Sequence, residues 1–291
     1  MIFDEKYFLL GLCFIAMLIT FSGIKIIQNK IFWLIGECEF NEKSSIFHKK
    51  MLKGLGIIYP VSIIPFFYFY QNVLNIFDYI MLFLLSIVGL IDDKFNLSYK
   101  IKIILFLLIS FFFNYISNPT FEELNIINLI FKTFFFVFLI IFFNQIDGIN
   151  GMAVLTFIVC YFSMTFLTTN LLVYLPLICC TIPYLFFNLR GQIGFQGDSG
   201  SYFLAGIIFI ILIKNFNHSD YLILIFLLCP ILLDLVATTL VKIYLSKNIF
   251  KGHRDNIYQR LASFKKNHLL STLIFISFQV VQSSVIIYLF L

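Results

Sequence analysis

Long apolar runs, broken at intervals by short polar stretches, leave this chain few ways to fold. About ten runs can be drawn, at 7–28, 52–70, 76–91, 100–116, 127–143, 152–169, 171–188, 200–214, 221–242 and 269–290. Several approach the ~20 residues that carry a helix across the hydrocarbon core, and the shortest are 76–91 and 200–214. Inside a bilayer every backbone N–H and C=O must find its partner within the protein, so such runs fold as helices. Of 291 residues 61% are hydrophobic and 12% charged, which excludes a soluble globular domain. The expected fold class is therefore all-α: a polytopic integral membrane protein, residues 1–291 forming one transmembrane domain. Nucleic acid is not an expected partner; the lipid bilayer is.

The first run is long and lacks a small-residue cleavage site, so it reads as a retained helix rather than a signal peptide. Six cysteines (Cys13, Cys38, Cys160, Cys179, Cys180, Cys229) lie mostly in apolar runs with no CxxC pair, and read as small buried hydrophobes. Charge orients the helices. Lys6, Lys132 and Lys214 fall on one side; the other 17 of the 20 Lys and Arg, counted with helix ends, fall in the loops after spans 1, 3, 5, 7 and 9. The positive-inside rule puts those loops in the cytoplasm and both termini outside.

The same loops carry the acidic and glycine-rich motifs. Asn144-Gln145-Ile146-Asp147-Gly148-Ile149-Asn150-Gly151 joins two apolar runs with three amides, a carboxylate and two glycines. Such a stretch serves as a plain inter-helix turn or as a site whose backbone N–H groups meet an anion. Asp92-Asp93 ends the third run. Adjacent carboxylates repel unless a cation lies nearby, and magnesium bridges carboxylates to phosphates; a solvated helix cap is the plainer reading. Asp198, in Gly197-Asp198-Ser199-Gly200-Ser201, stands at a helix start that offers N–H groups to a phosphate and a carboxylate to a metal. Lys53, followed by Gly54 and Gly56, serves either anionic headgroups or a bound phosphate. Asp234 lies within the ninth run, with Thr238 and Thr239 one turn on. An ionisable group there marks a function or a hydrogen-bonded neighbour helix. The last basic loop holds His253, Arg254, Tyr258 and Gln259, suited to phosphate, a sugar or a base, or to anionic lipid. His218 and His268 read as ordinary loop residues. Taken together, the loops place Asp92, Asp93, Asp147 and Asp198 at one mouth ringed by cations, the ingredients of phosphoryl transfer between a soluble donor and a lipid.

Three of these motifs, in order, resemble the signatures of the polyprenyl-phosphate N-acetylhexosamine-1-phosphate transferases of glycosyltransferase family 4. They are Asp92-Asp93 with Leu97-Ser98, Asn144 to Ala153, and Gly197 to Ser201. The stretch His253-Arg254-Asp255-Asn256-Ile257-Tyr258-Gln259-Arg260-Leu261 is similar to the HRxHxYQRL pattern of the branch that starts O-antigen or capsule glycans. Asn256 stands where that pattern has its second histidine, and Gly191-Gln192 replaces a usual Pro-Ala. The resemblance runs from about Asn41 to Leu261. It implies a ten- or eleven-helix enzyme of the bacterial inner membrane that moves a sugar 1-phosphate from a UDP-N-acetylamino sugar to undecaprenyl phosphate and releases UMP. A second copy of the chain, in a homodimer, is a candidate partner. The resemblance also implies magnesium, with manganese as a substitute, held by Asp198 and Asp93. The roles that follow are catalytic for Asp92, Asp93 and Asp147, and substrate-binding for Lys53, Asn144, Asn150, Asn188, His253, Arg254, Tyr258 and Gln259. The competing reading from another class is a transporter or lipid flippase without transferase activity.

Overall fold

In the computed structural model, residues 2–31, 35–38, 51–116, 126–189, 194–216, 221–246 and 255–290 are described. The order is α1 (Ile2–Lys30), β1 (Gly36–Cys38), β2 (Met51–Lys53), a 3-10 turn (Leu55–Ile57), α2 (Ile58–Ser62), α3 (Ile64–Phe69), α4 (Ile76–Phe95), α5 (Tyr99–Ile116), α6 (Ile126–Ile146) and α7 (Met152–Leu167). A second 3-10 turn (Thr169–Tyr174) follows, then α8 (Leu175–Cys179), α9 (Ile182–Asn188), β3 (Gly194–Phe195), α10 (Gly197–Asn215), α11 (Tyr221–Tyr244), α12 (Ile257–Lys265) and α13 (His268–Phe290).

A helical segment stands at each expected apolar run. Among the described residues, seven are long and apolar enough to cross a membrane: Glu5–Lys30, Tyr99–Ile116, Ile126–Ile146, Leu171–Asn188, Gly197–Asn215, Tyr221–Tyr244 and His268–Leu289. The runs at 52–70 and 152–169 fold as the shorter segments Leu55–Phe69 and Met152–Leu167. The run at 76–91 is α4, set apart by Asp78, Asp92, Asp93 and Lys94. Two runs are broken within. Pro65 and Pro183 sit in the first turns of α3 and α9, where a missing N–H costs nothing, so each starts a new helix inside an apolar stretch.

The bundle is organised around α10. Every residue from Gly197 to Leu212 is buried, and the helix packs against α4, α6, α7 and the Leu55–Ile57 turn. Phe136 stacks on Phe209 with centroids 4.4 Å apart, and Phe106 meets Tyr202 edge to face at 4.8 Å. Close approach depends on missing side chains. A Cβ on Gly89 would run into the backbone of Asp198 and Ser199, so α4 and α10 touch main chain to main chain there. Gly197 has φ +72°, a left-handed conformation that glycine adopts freely, and a Cβ on it would strike Asp93 and Gly54.

Both ends of the α4–α10 pair are tied by charge. At one end Asn75 and Asp78 form a reciprocal capping box, with bonds of 2.9 and 2.7 Å. Lys214, near the end of α10, pairs with Asp78 there and donates to the Val73 carbonyl at 2.9 Å. At the other end the chain builds a small sheet that the all-α expectation does not contain. β1 pairs antiparallel with β2 (Gly36 opposite Lys53) and β2 pairs parallel with β3 (Lys53 opposite Phe195). These strands carry two or three residues each, too few for an alternation pattern to show. Their effect is to bring Lys53 beside the start of α10.

Candidate active site

The four carboxylates expected at one mouth lie at one end of the bundle, three on helix ends and Asp147 in the turn that follows α6. Asp92 and Asp93 occupy the last turn of α4, Asp147 the turn between α6 and α7, and Asp198 the first turn of α10. All four are at most 4% exposed.

Asp93 acts as a cap. Its Oδ1 accepts from the Asp198 N–H at 2.9 Å and its Oδ2 from the Ser199 N–H at 3.2 Å. A carboxylate at a helix N-terminus satisfies two otherwise unbonded donors and complements the helix dipole. Lys53, 7% exposed, pairs with Asp93 Oδ1 at 3.1 Å. The residue expected as a metal ligand and the residue expected on phosphate are thus engaged with each other and with α10.

Asp92 faces the other way. Its Oδ1 accepts from Leu97 N–H at 2.9 Å, which shapes the turn out of α4. Its Oδ2 accepts from the Tyr202 hydroxyl at 2.9 Å and meets Lys102 Nζ at 2.5 Å. The same ammonium lies 4.0 Å from Asp198 Oδ2, so a cation already sits between Asp92 and Asp198. Burial first, and then the neighbouring Asp198 carboxyl, raises the Asp92 pKa to about 6 against the pull of Lys102. Neither Lys102 nor Tyr202 stood out in sequence. Tyr202 had one legible signal: it follows Asp198 by four residues and so shares its helix face.

Asp147 Oδ1 accepts from Gln196 Nε2 at 2.8 Å. The amides around it hold the loop together. Asn150 Nδ2 donates to the Asn188 carbonyl at 2.7 Å, and its Oδ1 lies 3.0 Å from His268 Nδ1. Asn188 Oδ1 accepts from Gly151 N–H at 2.5 Å, and its Nδ2 donates to the Gly194 carbonyl at 3.2 Å. His268, read in sequence as an ordinary loop residue, is buried at the start of α13 against this turn. Asn144 is half-buried, and its Nδ2 has no hydrogen-bond partner among the described residues.

The last motif closes over the same turn. Tyr258, fully buried, donates its hydroxyl to the Gln145 carbonyl at 3.1 Å and accepts from Asn256 Nδ2 at 2.8 Å. Gln259 is buried with no partner for Oε1 among the described residues. His253 and Arg254 lie outside the described residues, as do His48, Arg190, Gly191, Gln192 and His218. Asp234 holds the unit in place. Its Oδ1 accepts from Ile257 N–H at 2.9 Å and its Oδ2 from Tyr258 N–H at 3.2 Å. The ionisable group inside the ninth run is therefore a cap supplied by α11 to α12. Asp234→Ala should lower stability by about 1–2 kcal/mol, the cost of a lost cap, read as a fall in melting temperature in detergent that Asp234→Asn partly restores. An unchanged melting temperature for the alanine variant would remove the cap assignment.

The family model described as glycosyl transferase family 4 matches residues 79–215. That segment runs from α4 through α10 and contains Asp92, Asp93, Asp147 and Asp198. The match supports membership of that family and indicates a polyprenyl-phosphate sugar-phosphate transferase in general terms. No curated protein matches the chain.

Proposed function

We propose that this chain is a family 4 transferase that moves an N-acetylamino sugar 1-phosphate from a UDP-sugar to undecaprenyl phosphate. The products are undecaprenyl-diphosphate-sugar and UMP. We place the reaction at the cytoplasmic face of a bacterial inner membrane, at the first membrane step of an O-antigen- or capsule-type glycan, with all ten helical segments spanning or entering the bilayer. The observation that carries the reading is the convergence of Asp92, Asp198 and Lys102 at a helix-end mouth within the segment matched by the family model.

Magnesium fits this mouth. Among the described residues no cluster of three or more His, Cys, Asp or Glu forms a complete ligand set. Two carboxylates already hold a cation between them, however, and magnesium characteristically takes one or two carboxylates and completes its shell with water and substrate phosphates. We assign it to Asp92 and Asp198 rather than to Asp93, whose oxygens are engaged with α10 and Lys53. When bound it would neutralise charge on the transferring diphosphate. Lys102, which pairs with these carboxylates, would then be available to a substrate phosphate.

In the reaction a lipid phosphate oxygen attacks the β-phosphorus of the UDP-sugar, and the bond from that phosphorus to the bridging oxygen breaks, leaving UMP. The phosphate is mostly dianionic near neutrality; Asp147 takes the proton from the fraction that is not. Asn144 Nδ2 and Gln259 Oε1, buried polar atoms with no hydrogen-bond partner among the described residues, are assigned to the donor. Asn150, Asn188 and Tyr258 shape the loop instead. A transporter would call for charged groups within the membrane helices, and the bonds from Asp234 to α12 account for the one in the ninth run.

The test is turnover by purified protein in detergent with undecaprenyl phosphate, magnesium and a panel of UDP-N-acetylamino sugars, followed by UMP release. One accepted donor identifies the branch; no release with any donor, from folded protein, overturns the proposal.

Metal binding should depend on pH. The raised Asp92 pKa means that the folded, metal-free protein holds that proton more tightly than the unfolded chain between the ordinary carboxylate range and about 6. This contribution stabilises the metal-free protein as pH falls through about 6 and is lost as pH rises. Magnesium competes with that proton, so its affinity should fall roughly tenfold per pH unit below about 6. The magnesium-induced rise in melting temperature should therefore be clear at pH 7.5 and largely absent at pH 5. An equal rise at both would contradict the Asp92 assignment.

A further inference from the structure

The geometry points to Gln196 as a positioning residue for Asp147. This rests on the transferase reading above. Gln196 is 0% exposed, and every polar group it carries is engaged. Its N–H donates to the Tyr184 hydroxyl at 2.9 Å, and its carbonyl accepts from the Gly56 N–H at 2.9 Å and the Ser199 hydroxyl at 3.0 Å. Those bonds pin the backbone between the Leu55–Ile57 turn, α9 and the start of α10.

The side chain then spans a gap that the sequence does not reveal. Tyr59, also 0% exposed, donates its hydroxyl to Gln196 Oε1 at 3.2 Å. Asp147 selects the amide orientation, since a flipped side chain would set Oε1 against a carboxylate, and the Tyr59 hydroxyl, able to donate or accept, completes it by donating. In the orientation present, Nε2 donates to Asp147 Oδ1 at 2.8 Å. A chain of donors thus runs from Tyr59 through Gln196 to the carboxylate. It fixes the plane of the Asp147 carboxyl group. Gln196 also stands two residues before Asp198, on the same rigid helix start, so one backbone segment sets the distance between the assigned proton acceptor and the assigned metal ligand. A buried glutamine serving only packing would not need its amide held between a tyrosine hydroxyl and a carboxylate 49 residues away.

Gln196→Met keeps the length and apolar volume and removes both amide bonds. We expect kcat to fall about 10- to 100-fold, the loss usual when a group that orients a reacting side chain is removed, with KM for both substrates within about twofold. The loss should not add to that of Asp147→Asn: the double variant should match Asp147→Asn alone, because Gln196 acts only through the Asp147 carboxylate, which that change removes. Tyr59→Phe, which leaves the amide in place but its Oε1 without the Tyr59 hydrogen bond, should lower kcat about fivefold and carries the test if Gln196→Met does not fold. Wild-type turnover with full kcat in these variants, or losses that add in the double variant, overturns the inference and leaves the transferase reading intact. Wild-type protein with no turnover for any donor overturns the transferase reading, and this inference with it.

Discussion

Asp198→Asn should leave the protein folded and lower turnover by roughly a thousandfold, about 4 kcal/mol in the barrier. The fold prediction follows from where the bonds are. Asp198 serves the helix start through its backbone, donating its N–H to Asp93 and accepting from Ser201 through its carbonyl. An asparagine repeats both. It also removes a like charge from beside Asp92, so the metal-free variant should melt at or slightly above the wild-type temperature at pH 7.5. The activity prediction follows from the carboxylate itself. Without it the cation between Asp92 and Asp198 loses one of its two anionic partners, and Lys102 has a single carboxylate to sit against. Magnesium-induced stabilisation should shrink with the turnover. Near-normal turnover by a well-folded Asp198→Asn would remove the metal assignment.

Asp93→Ala has the opposite signature. It strips two acceptors from the start of α10 and leaves Lys53 buried without its counter-ion. Breaking a buried pair from one side typically costs about 3–5 kcal/mol, and here α10, the most enclosed helix, loses its anchor. The expected outcome is poor yield or a melting temperature far below wild type, with magnesium-induced stabilisation retained in whatever fraction folds. Asp93→Asn, which keeps an acceptor, should fall between. A stable Asp93→Ala variant that has lost only its response to magnesium would return Asp93 to the metal and contradict the cap.

The adjacent pair Asp92-Asp93 shows how far sequence reaches into this site. Two neighbouring carboxylates at a helix end predicted a cation or a cap; the structure uses one for each, because successive helical residues point about 100° apart. The apolar runs were legible because a hydrocarbon solvent leaves a chain little choice of fold. The Met51–Lys53 strand was not, because it opens directly into an apolar run and its partners are distant in sequence. Asp234 announced that it needed a partner, but not that the partner would be a helix start 23 residues on. Asn150 and Asn188 have the chemistry of ligand-binding amides, and only three-dimensional contact shows that their bonds go to each other's backbone segments. The many phenylalanines divide as physical reasoning allows: Phe136, Phe143, Phe157 and Phe203 pack the core, while Phe112, Phe134, Phe186 and Phe278 face outward.

The central claim is that a sugar phosphate is joined to a lipid phosphate at this mouth with the help of a divalent cation. The most direct measurement is to recover the lipid after incubating wild-type protein with undecaprenyl phosphate, magnesium and the accepted UDP-sugar, and to weigh it by mass spectrometry beside the UMP released. The account predicts a lipid heavier by one sugar phosphate, formed one for one with UMP and absent when EDTA is present. UMP released without any change in the lipid, or lipid product formed equally well in EDTA, would contradict it.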